Sequence, residues 1–142
     1  MASLALLTNT VVQPKEAPKL PAAWREPLNT LRLIALECRS AASADLFKAC
    51  AMLSIKEDTA RDAHARALLK CLRQAVYTRP VFFRPGVTDI SFDEAWLMRA
   101  ITAAQSGDAD SLSFLIRSRV PKLYQRNIAF LIKGISEQLD QN

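Results

Sequence analysis

The chain has 142 residues, a hydrophobic fraction of 50% and only 3 glycines, a composition that excludes a disordered or fibrous protein and favours helix. At this length we expect one globular domain with a core that needs no disulfide or metal to hold it. The net charge of +5 arises from 19 basic and 14 acidic side chains, which permits mild attraction to polyanions and does not by itself indicate a nucleic-acid-binding protein.

Residues 1–24 are rich in proline, at Pro14, Pro18 and Pro21. Proline at this spacing prevents helix formation and favours an extended chain, so we interpret the segment as an N-terminal arm or linker, either mobile or docked through Trp24. The opening residues carry no basic n-region, so no signal peptide is expected. No apolar run reaches about 18 residues, so no transmembrane helix is expected either.

Two helices are predicted after this arm. The first begins at Pro27, because proline suits the first turn, where its missing N–H would be unpaired anyway. Its apolar residues recur at helical spacing, and Arg32 stays off that stripe. Ser43 is placed to cap a second helix, although the two helices could instead run together. The apolar positions of the pair are Leu28, Leu31, Ile34, Ala35, Cys38, Leu46, Phe47, Ala49, Cys50 and Leu53.

A third helix is predicted after the sequence Ser-Ile-Lys-Glu, in which Ser54 and Glu57 match a capping box. It extends to about Tyr77, and Pro80 stops it. Its apolar residues fall on one face and its charged residues on the other, which indicates one buried and one solvent-facing side.

Three further helices are predicted in the second half of the chain. The first of them starts at the capping box of Ser91 and Glu94 and carries a broad apolar face. Gly107 suits the C′ position that ends it, and Asp108 can cap the next, shorter helix. The last helix begins at Pro121 and has a clean amphipathic spacing.

Residues 78–90 are predicted to form an irregular crossover loop between the third and fourth helices. Proline biases the residue before it away from helix, so Arg79 and Arg84 keep this stretch extended. Adjacent side chains of an extended chain point to opposite sides, so Phe82 and Phe83 should not enter the same pocket. We expect one ring to be buried beneath the loop and the other to be covered by the N-terminal arm or exposed as a contact site. The candidate partner-binding residues are Phe82, Phe83, Arg79, Arg84 and Trp24.

A basic helical surface offers an alternative to protein binding. Three basic residues share one face of the third helix, and three more lie around the start of the sixth. They would attract phosphates, although a solvated face balanced by acids elsewhere explains the same pattern. The candidate residues of this basic face are Arg66, Lys70, Arg73, Arg119, Lys122 and Arg126.

The sequence contains no strong catalytic, metal or cofactor signature. The cysteines Cys38, Cys50 and Cys71 include no Cys-x-x-Cys pair and fit the reduced, buried thiols of a cytoplasmic protein. His64 is the only histidine, so a zinc site or a Cys–His nucleophile would need these residues to converge in the fold. The paired acids at helix starts are explained by capping, and the isolated glycines form no phosphate-binding loop.

These patterns predict an all-α protein, a compact orthogonal bundle of five or six helices over residues 25–142, with the fourth and sixth helices at its centre. The lack of recognisable chemistry and the two extended proline-containing segments favour a non-enzymatic cytoplasmic protein that acts in protein–protein interaction or regulation, through a partner protein or self-association. A nucleic-acid-associated protein and a small enzyme with a noncontiguous Cys/His site are the alternatives. No cofactor, catalytic residue, metal or membrane contact is predicted.

Overall fold

The computed structural model describes residues 19–39, 45–55 and 62–140, so most of the predicted N-terminal arm lies outside the described residues. The described residues form six helices and no strand, and a single antiparallel bridge joins Lys19 to Asp89. The predicted all-α fold is confirmed. The helices are α1 (Ala22–Cys38), α2 (Leu46–Ile55), α3 (Ala63–Ala75), α4 (Phe92–Gln105), α5 (Ala109–Arg119) and α6 (Lys122–Asp140).

The C-terminal helix lies at the centre of the bundle, because α6 packs against α2, α3, α4 and α5. Its buried residues recur every three or four positions, so a single stripe faces the core. α4 presents a broad buried face, and the indole N–H of Trp96 donates a 2.7 Å hydrogen bond to the Leu115 carbonyl, which ties α4 to α5. The central role predicted for α6 is confirmed, and α4 has the broad buried face that the sequence predicts. Their buried apolar residues include Trp96, Leu97, Ala100 and Ile101 in α4 and Ile128, Leu131, Ile132 and Ile135 in α6.

The helix signals predicted around α4 are confirmed. The Ser91 hydroxyl accepts a hydrogen bond from the Glu94 N–H at 3.1 Å, and the Glu94 carboxylate accepts one from the Ser91 N–H at 2.9 Å, which completes the capping box. Gly107 has a φ of 73° and follows the last turn of α4 in a Schellman pattern. Asp108 then caps α5 by accepting a backbone N–H of its first turn at 3.1 Å.

The start predicted for the first helix is wrong, because α1 begins at Ala22 and not at Pro27. The proline that precedes the helix is Pro21, whose carbonyl accepts the Trp24 N–H at 3.0 Å. Trp24 is therefore helical and not part of an extended arm. Pro27 lies inside α1, where its missing N–H removes one intrahelical hydrogen bond.

The capping box predicted at Ser54 is also wrong. Ser54 lies in the last turn of α2, where its hydroxyl donates to the Ala51 carbonyl at 2.9 Å, and Glu57 lies outside the described residues. α3 begins instead at Ala63, and it ends at Ala75, just before the predicted end at residue 77. Ser54 and Glu57 have the spacing of a capping box, but the chain is still helical at Ser54. Its hydroxyl therefore bonds to a carbonyl of the preceding turn and does not cap the next helix.

The N-terminus of α2 is capped by Asp45, whose carboxylate accepts the Lys48 N–H at 3.0 Å. The first N–H of α2, that of Leu46, donates to the Gln74 side chain of α3 at 3.1 Å. The predicted cap, Ser43, lies outside the described residues. A local carboxylate and a tertiary amide therefore share the capping of this short helix.

Candidate functional site

A groove of about 540 Å³ opens between the C-terminal halves of α1 and α3 and the first part of the crossover loop. Exposed basic side chains stand around it, and apolar side chains complete its lining. We call it the cationic groove. Its basic residues are Arg39, Lys70, Arg73 and Arg79, and its apolar residues include Ala35, Leu69, Leu72, Val81 and Phe82.

The charge of the cationic groove is unbalanced. No acidic side chain is among the described residues that line it. α1 and α3 both end beside it, and the C-terminus of a helix carries about −0.5 of an elementary charge. Two such ends offset about one of the positive charges of the basic side chains, so the groove keeps a positive potential. That potential favours an anionic ligand.

The α3 part of the predicted basic face is split between two environments. Lys70 and Arg73 line the cationic groove. Arg66 instead pairs with Glu37 of α1 and with Asp62, each at an N–O distance of 2.7 Å. These two carboxylates neutralise Arg66, so it adds little to an anion-binding surface.

The other part of the predicted basic face lies away from the groove. Arg119 is directed inward, where its Nη2 donates to Asp93 Oδ1 at 2.5 Å. Its guanidinium carbon also lies 5.0 Å from the ring centroid of Phe92 and 5.7 Å from that of Trp96. The remaining candidates are exposed in the first turns of α6: Lys122 and Arg126.

The crossover loop forms one wall of the cationic groove, and the first turn of α4 fixes it. The N–H of Val81 donates to Asp93 Oδ2 at 2.8 Å, and the N–H of Phe83 donates to Glu94 Oε2 at 2.9 Å. The Val81 carbonyl accepts the Ser91 hydroxyl at 2.6 Å. The backbone on both sides of the intervening residue is therefore held by α4.

The two phenylalanines of the loop have different neighbours, as the extended backbone predicts. The prediction that one ring is buried and the other exposed is wrong, because both are half-buried, and cover by residues 1–18 of the arm lies outside the described residues. Phe82 is half-buried, packs against the core and lines the groove. Phe83 is also half-buried, and the guanidinium carbon of Arg32 lies 5.9 Å from its ring centroid. The accessible apolar surface of this wall comes mainly from Val81, which is 50% exposed.

Arg32 of α1 is buried against the crossover loop and is hydrogen-bonded to it. The prediction that Arg32 stays off the buried side of its helix is therefore wrong. Its side chain is 1% exposed, and its Nε and Nη2 bond to Glu94 at 2.7 and 2.9 Å. Its other N–H groups reach the carbonyls of Val87 at 2.7 Å, Asp89 at 2.8 Å and Arg84 at 3.4 Å. An irregular loop leaves such carbonyls without helical or sheet partners, and one guanidinium supplies donors to three of them.

Glu94 has a second role beyond the capping box that the sequence predicts. Its Oε1 accepts from Arg32 Nη2 and the Ser91 N–H, and its Oε2 accepts from Arg32 Nε and the Phe83 N–H. A buried ion pair is stable only when its remaining hydrogen-bonding capacity is met, and here it is. No local sequence signal indicates this pair, because its members are 62 residues apart.

The predicted partner-binding residues do not form one site. Arg79 and Phe82 line the cationic groove, whereas Arg84 is exposed elsewhere on the loop. Trp24 lines a separate groove of about 550 Å³ between α1, α4 and α5. Sequence reasoning missed Arg39 as a site residue, because it directly follows the end of α1 and belongs to no periodic pattern.

The thiols are not activated for nucleophilic chemistry. Burial raises the pKa of Cys38 and of Cys50, and it raises the pKa of Cys71 to about 11. Reactive cysteines instead have a lowered pKa, because the thiolate is the nucleophile. All three lie in the described residues, and none forms a disulfide. Cys38 lines the groove.

His64 takes part in helix packing. Its ring lies against Gly134 of α6 and 5.6 Å, centroid to centroid, from the ring of Phe130. Burial lowers the pKa of the imidazole, and Glu137 opposes that shift. Within the described part of the chain, no group of three or more His, Cys, Asp or Glu side chains is arranged to hold a metal ion.

Among the helices of the described residues, none combines the length and apolar character needed to cross a bilayer. None of the protein-family models, curated proteins or solved structures compared with this chain is similar to it. The geometry of the cationic groove is therefore the main guide to function.

Proposed function

We propose that this protein is a non-enzymatic interaction module of the cytoplasm that binds an acidic segment of a partner protein in the cationic groove. The observation that carries the proposal is the set of exposed cations around an apolar lining that has no acid among its described residues. An acidic segment with one apolar side chain matches both features, since its carboxylates meet the cations and its apolar side chain covers Val81 and Phe82.

The shape of the charge distribution supports a protein segment over a nucleic acid. A nucleic acid backbone is bound by a long run of unpaired cations, and Arg66 and Arg119 are both engaged by carboxylates. Single-stranded nucleic acid also needs exposed ring faces for stacking. Both rings of the loop are half-buried, and Phe83 already faces Arg32. The exposed ring of Tyr77, which precedes the loop, does not line the groove.

The chemistry of the candidate nucleophiles supports binding over catalysis. The thiol pKa values are raised, and the carboxylates of Asp93 and Glu94 are occupied by loop and arginine donors. Cysteines without disulfides fit a reducing compartment, which supports the cytoplasmic assignment.

The test uses fluorescence polarisation with a labelled synthetic peptide rich in Glu and Asp around one central Leu, and a second peptide with Gln and Asn in place of the acids. We expect binding of the acidic peptide alone, weakened by salt. The variant K70E/R73E reverses two groove charges and should weaken binding at least about tenfold. K122E/R126E makes the same change in net charge on α6 and serves as the matched control.

Three results would overturn the proposal. Equal loss in the two double variants would mean that net charge alone acts. Tighter binding of a labelled duplex or RNA than of the peptide at about 50 mM salt, where phosphate contacts are strongest, would identify a nucleic-acid-binding protein. A salt-sensitive dimer seen by sedimentation and abolished in K70E/R73E would show that a second copy of this chain occupies the groove.

A further inference from the structure

The cationic groove has one wall that is not a helix. Arg79, Val81 and Phe82 belong to the crossover loop, and loops of this kind are usually more mobile than the elements they connect. A mobile wall would have to be ordered each time a ligand bound, and that ordering would weaken binding. In the structure, the first turn of α4 and its cap instead fix this wall by hydrogen bonds.

Asp93 is the residue that links the wall to two helices. It lies in the first turn of α4, its Oδ2 accepts the Val81 N–H at 2.8 Å, and its Oδ1 accepts Arg119 Nη2 at 2.5 Å. Its side chain is 12% exposed, so water competes little for either oxygen. Arg119 Nη1 is buried and without a hydrogen-bond partner, and Nη2 makes a longer hydrogen bond of 3.4 Å to the Thr78 hydroxyl, so Asp93 is the only carboxylate that pairs with this guanidinium among the described residues.

A structural cap alone does not explain this arrangement. Ser91 and Glu94 already form the capping box of α4, whereas both oxygens of Asp93 bond outside α4. One of those bonds holds Val81, which lies between Arg79 and Phe82 in the groove wall.

We infer that Asp93 is a positioning residue for the cationic groove, one that presets Arg79 and Phe82 so that an acidic segment binds without first ordering the loop. This inference rests on the proposed function of the groove. Asp93 itself does not line the groove and would not touch the ligand.

The substitution D93N separates positioning from charge, because the two effects have opposite signs. Removing one carboxylate makes the protein more positive, so long-range electrostatics alone would strengthen the binding of an acidic peptide. An asparagine presents one oxygen and one NH2 group, so either the Val81 N–H or Arg119 loses its acceptor. Loss of positioning would therefore weaken the binding of the same peptide.

The matched control is D110N. Asp110 is also an acid in the first turn of a helix, and it is exposed on α5, away from the crossover loop. Both variants change the net charge equally. S91A is a second test variant, since it removes the hydroxyl that bonds to the Val81 carbonyl and also caps α4, without any change in charge.

The experiment measures the Kd of the labelled acidic peptide and the hydrogen-exchange rate of the Val81 amide in the full chain, with circular dichroism to show that each variant is folded. We expect D93N and S91A to weaken binding about two- to tenfold and to speed exchange at Val81, and D110N to leave both unchanged or to tighten binding slightly. If D93N is not folded, S91A decides.

Failure of the inference is distinct from failure of the proposed function. Faster Val81 exchange in D93N or S91A, with peptide affinity equal to that of D110N, would overturn the positioning role and leave the groove as the binding site. Unchanged binding in K70E/R73E would remove the groove itself, whatever the behaviour of the Asp93 variants.

Discussion

Two regions of the molecule are held by different forces. One is the interface where α3 packs against α6, which we call the seam, and the other is the crossover loop. The seam is packed by apolar side chains of both helices, and burial of apolar area has no directional requirement. The loop is held by hydrogen bonds from Arg32, Asp93 and Glu94, each with a fixed donor and acceptor. The seam should therefore tolerate changes that keep volume, whereas the loop should fail when one atom changes its hydrogen-bonding character.

The largest expected effect comes from E94Q, which keeps the volume of the side chain. Each of the two carboxylate oxygens accepts two hydrogen bonds. Whichever way a glutamine side chain is turned, its NH2 group therefore faces two N–H donors and cannot accept from either. Arg32 also remains as a buried charge without its partner. We expect a loss of about 3–5 kcal/mol in the free energy of unfolding, measured by urea denaturation.

Two controls make this comparison sharp. E26Q changes an exposed glutamate on α1 and should alter stability by less than about 0.5 kcal/mol. L131M changes a fully buried residue of α6 at nearly constant volume and should cost less than about 1.5 kcal/mol. A smaller loss for E94Q than for L131M would mean that the two regions are not held differently.

The seam should fail where a substitution adds volume that the packing cannot accommodate. A Cβ on Gly134 would overlap Cγ and Cδ2 of His64 and lie 2.7 Å from Nε2. Overpacking of this kind costs about 1–3 kcal/mol, against about 1 kcal/mol that alanine gains over glycine in a helix, so G134A should be destabilised by up to about 2 kcal/mol net. In an H64A background the clash is absent, so adding G134A there should stabilise the protein. Destabilisation in both backgrounds would mean that the ring is not the cause.

The smallest effect is expected from pH. Burial lowers the pKa of His64 from its ordinary value of 6.5, with Glu137 acting in the opposite direction. The unfolded state therefore binds more protons, so this contribution to stability is fully present above about pH 6.5 and is lost as the pH falls through the folded-state pKa. The difference between the urea unfolding midpoints at about pH 7.5 and about pH 5 should be smaller in H64Q than in the natural chain. An unchanged pH dependence in H64Q would assign the slope to other groups.

The same contrast explains which features can be predicted from the sequence. The capping box at Ser91, the C′ glycine at Gly107 and the periodic stripe of α6 are local patterns, and all three are confirmed. The partner of Arg32 is not local, so the helical spacing of its neighbours wrongly indicates that it stays off the buried side. Pro27 suits the first turn of a helix, but α1 begins earlier, at Ala22, with Pro21 at its N-cap.

The candidate site is predicted only in fragments. Lys70 and Arg73 are predicted as part of a nucleic-acid-binding face, and Arg79 and Phe82 as part of a partner-binding loop. The structure places these four residues in one groove and adds Arg39. Spacing along one helix cannot show this, because the groove needs the end of α1, the end of α3 and a loop held by α4.

The buried ion pair of Arg32 and Glu94 can form only late during synthesis of the chain. Because 62 residues separate its members, α1 leaves the ribosome well before the carboxylate that Arg32 needs, and the guanidinium stays hydrated until then. The first three helices therefore lack this ion pair until α4 has been made, and contacts of such long range slow folding. A nascent chain that stalls within the crossover loop would expose the apolar faces of α1 and α3 and would be a substrate for chaperones.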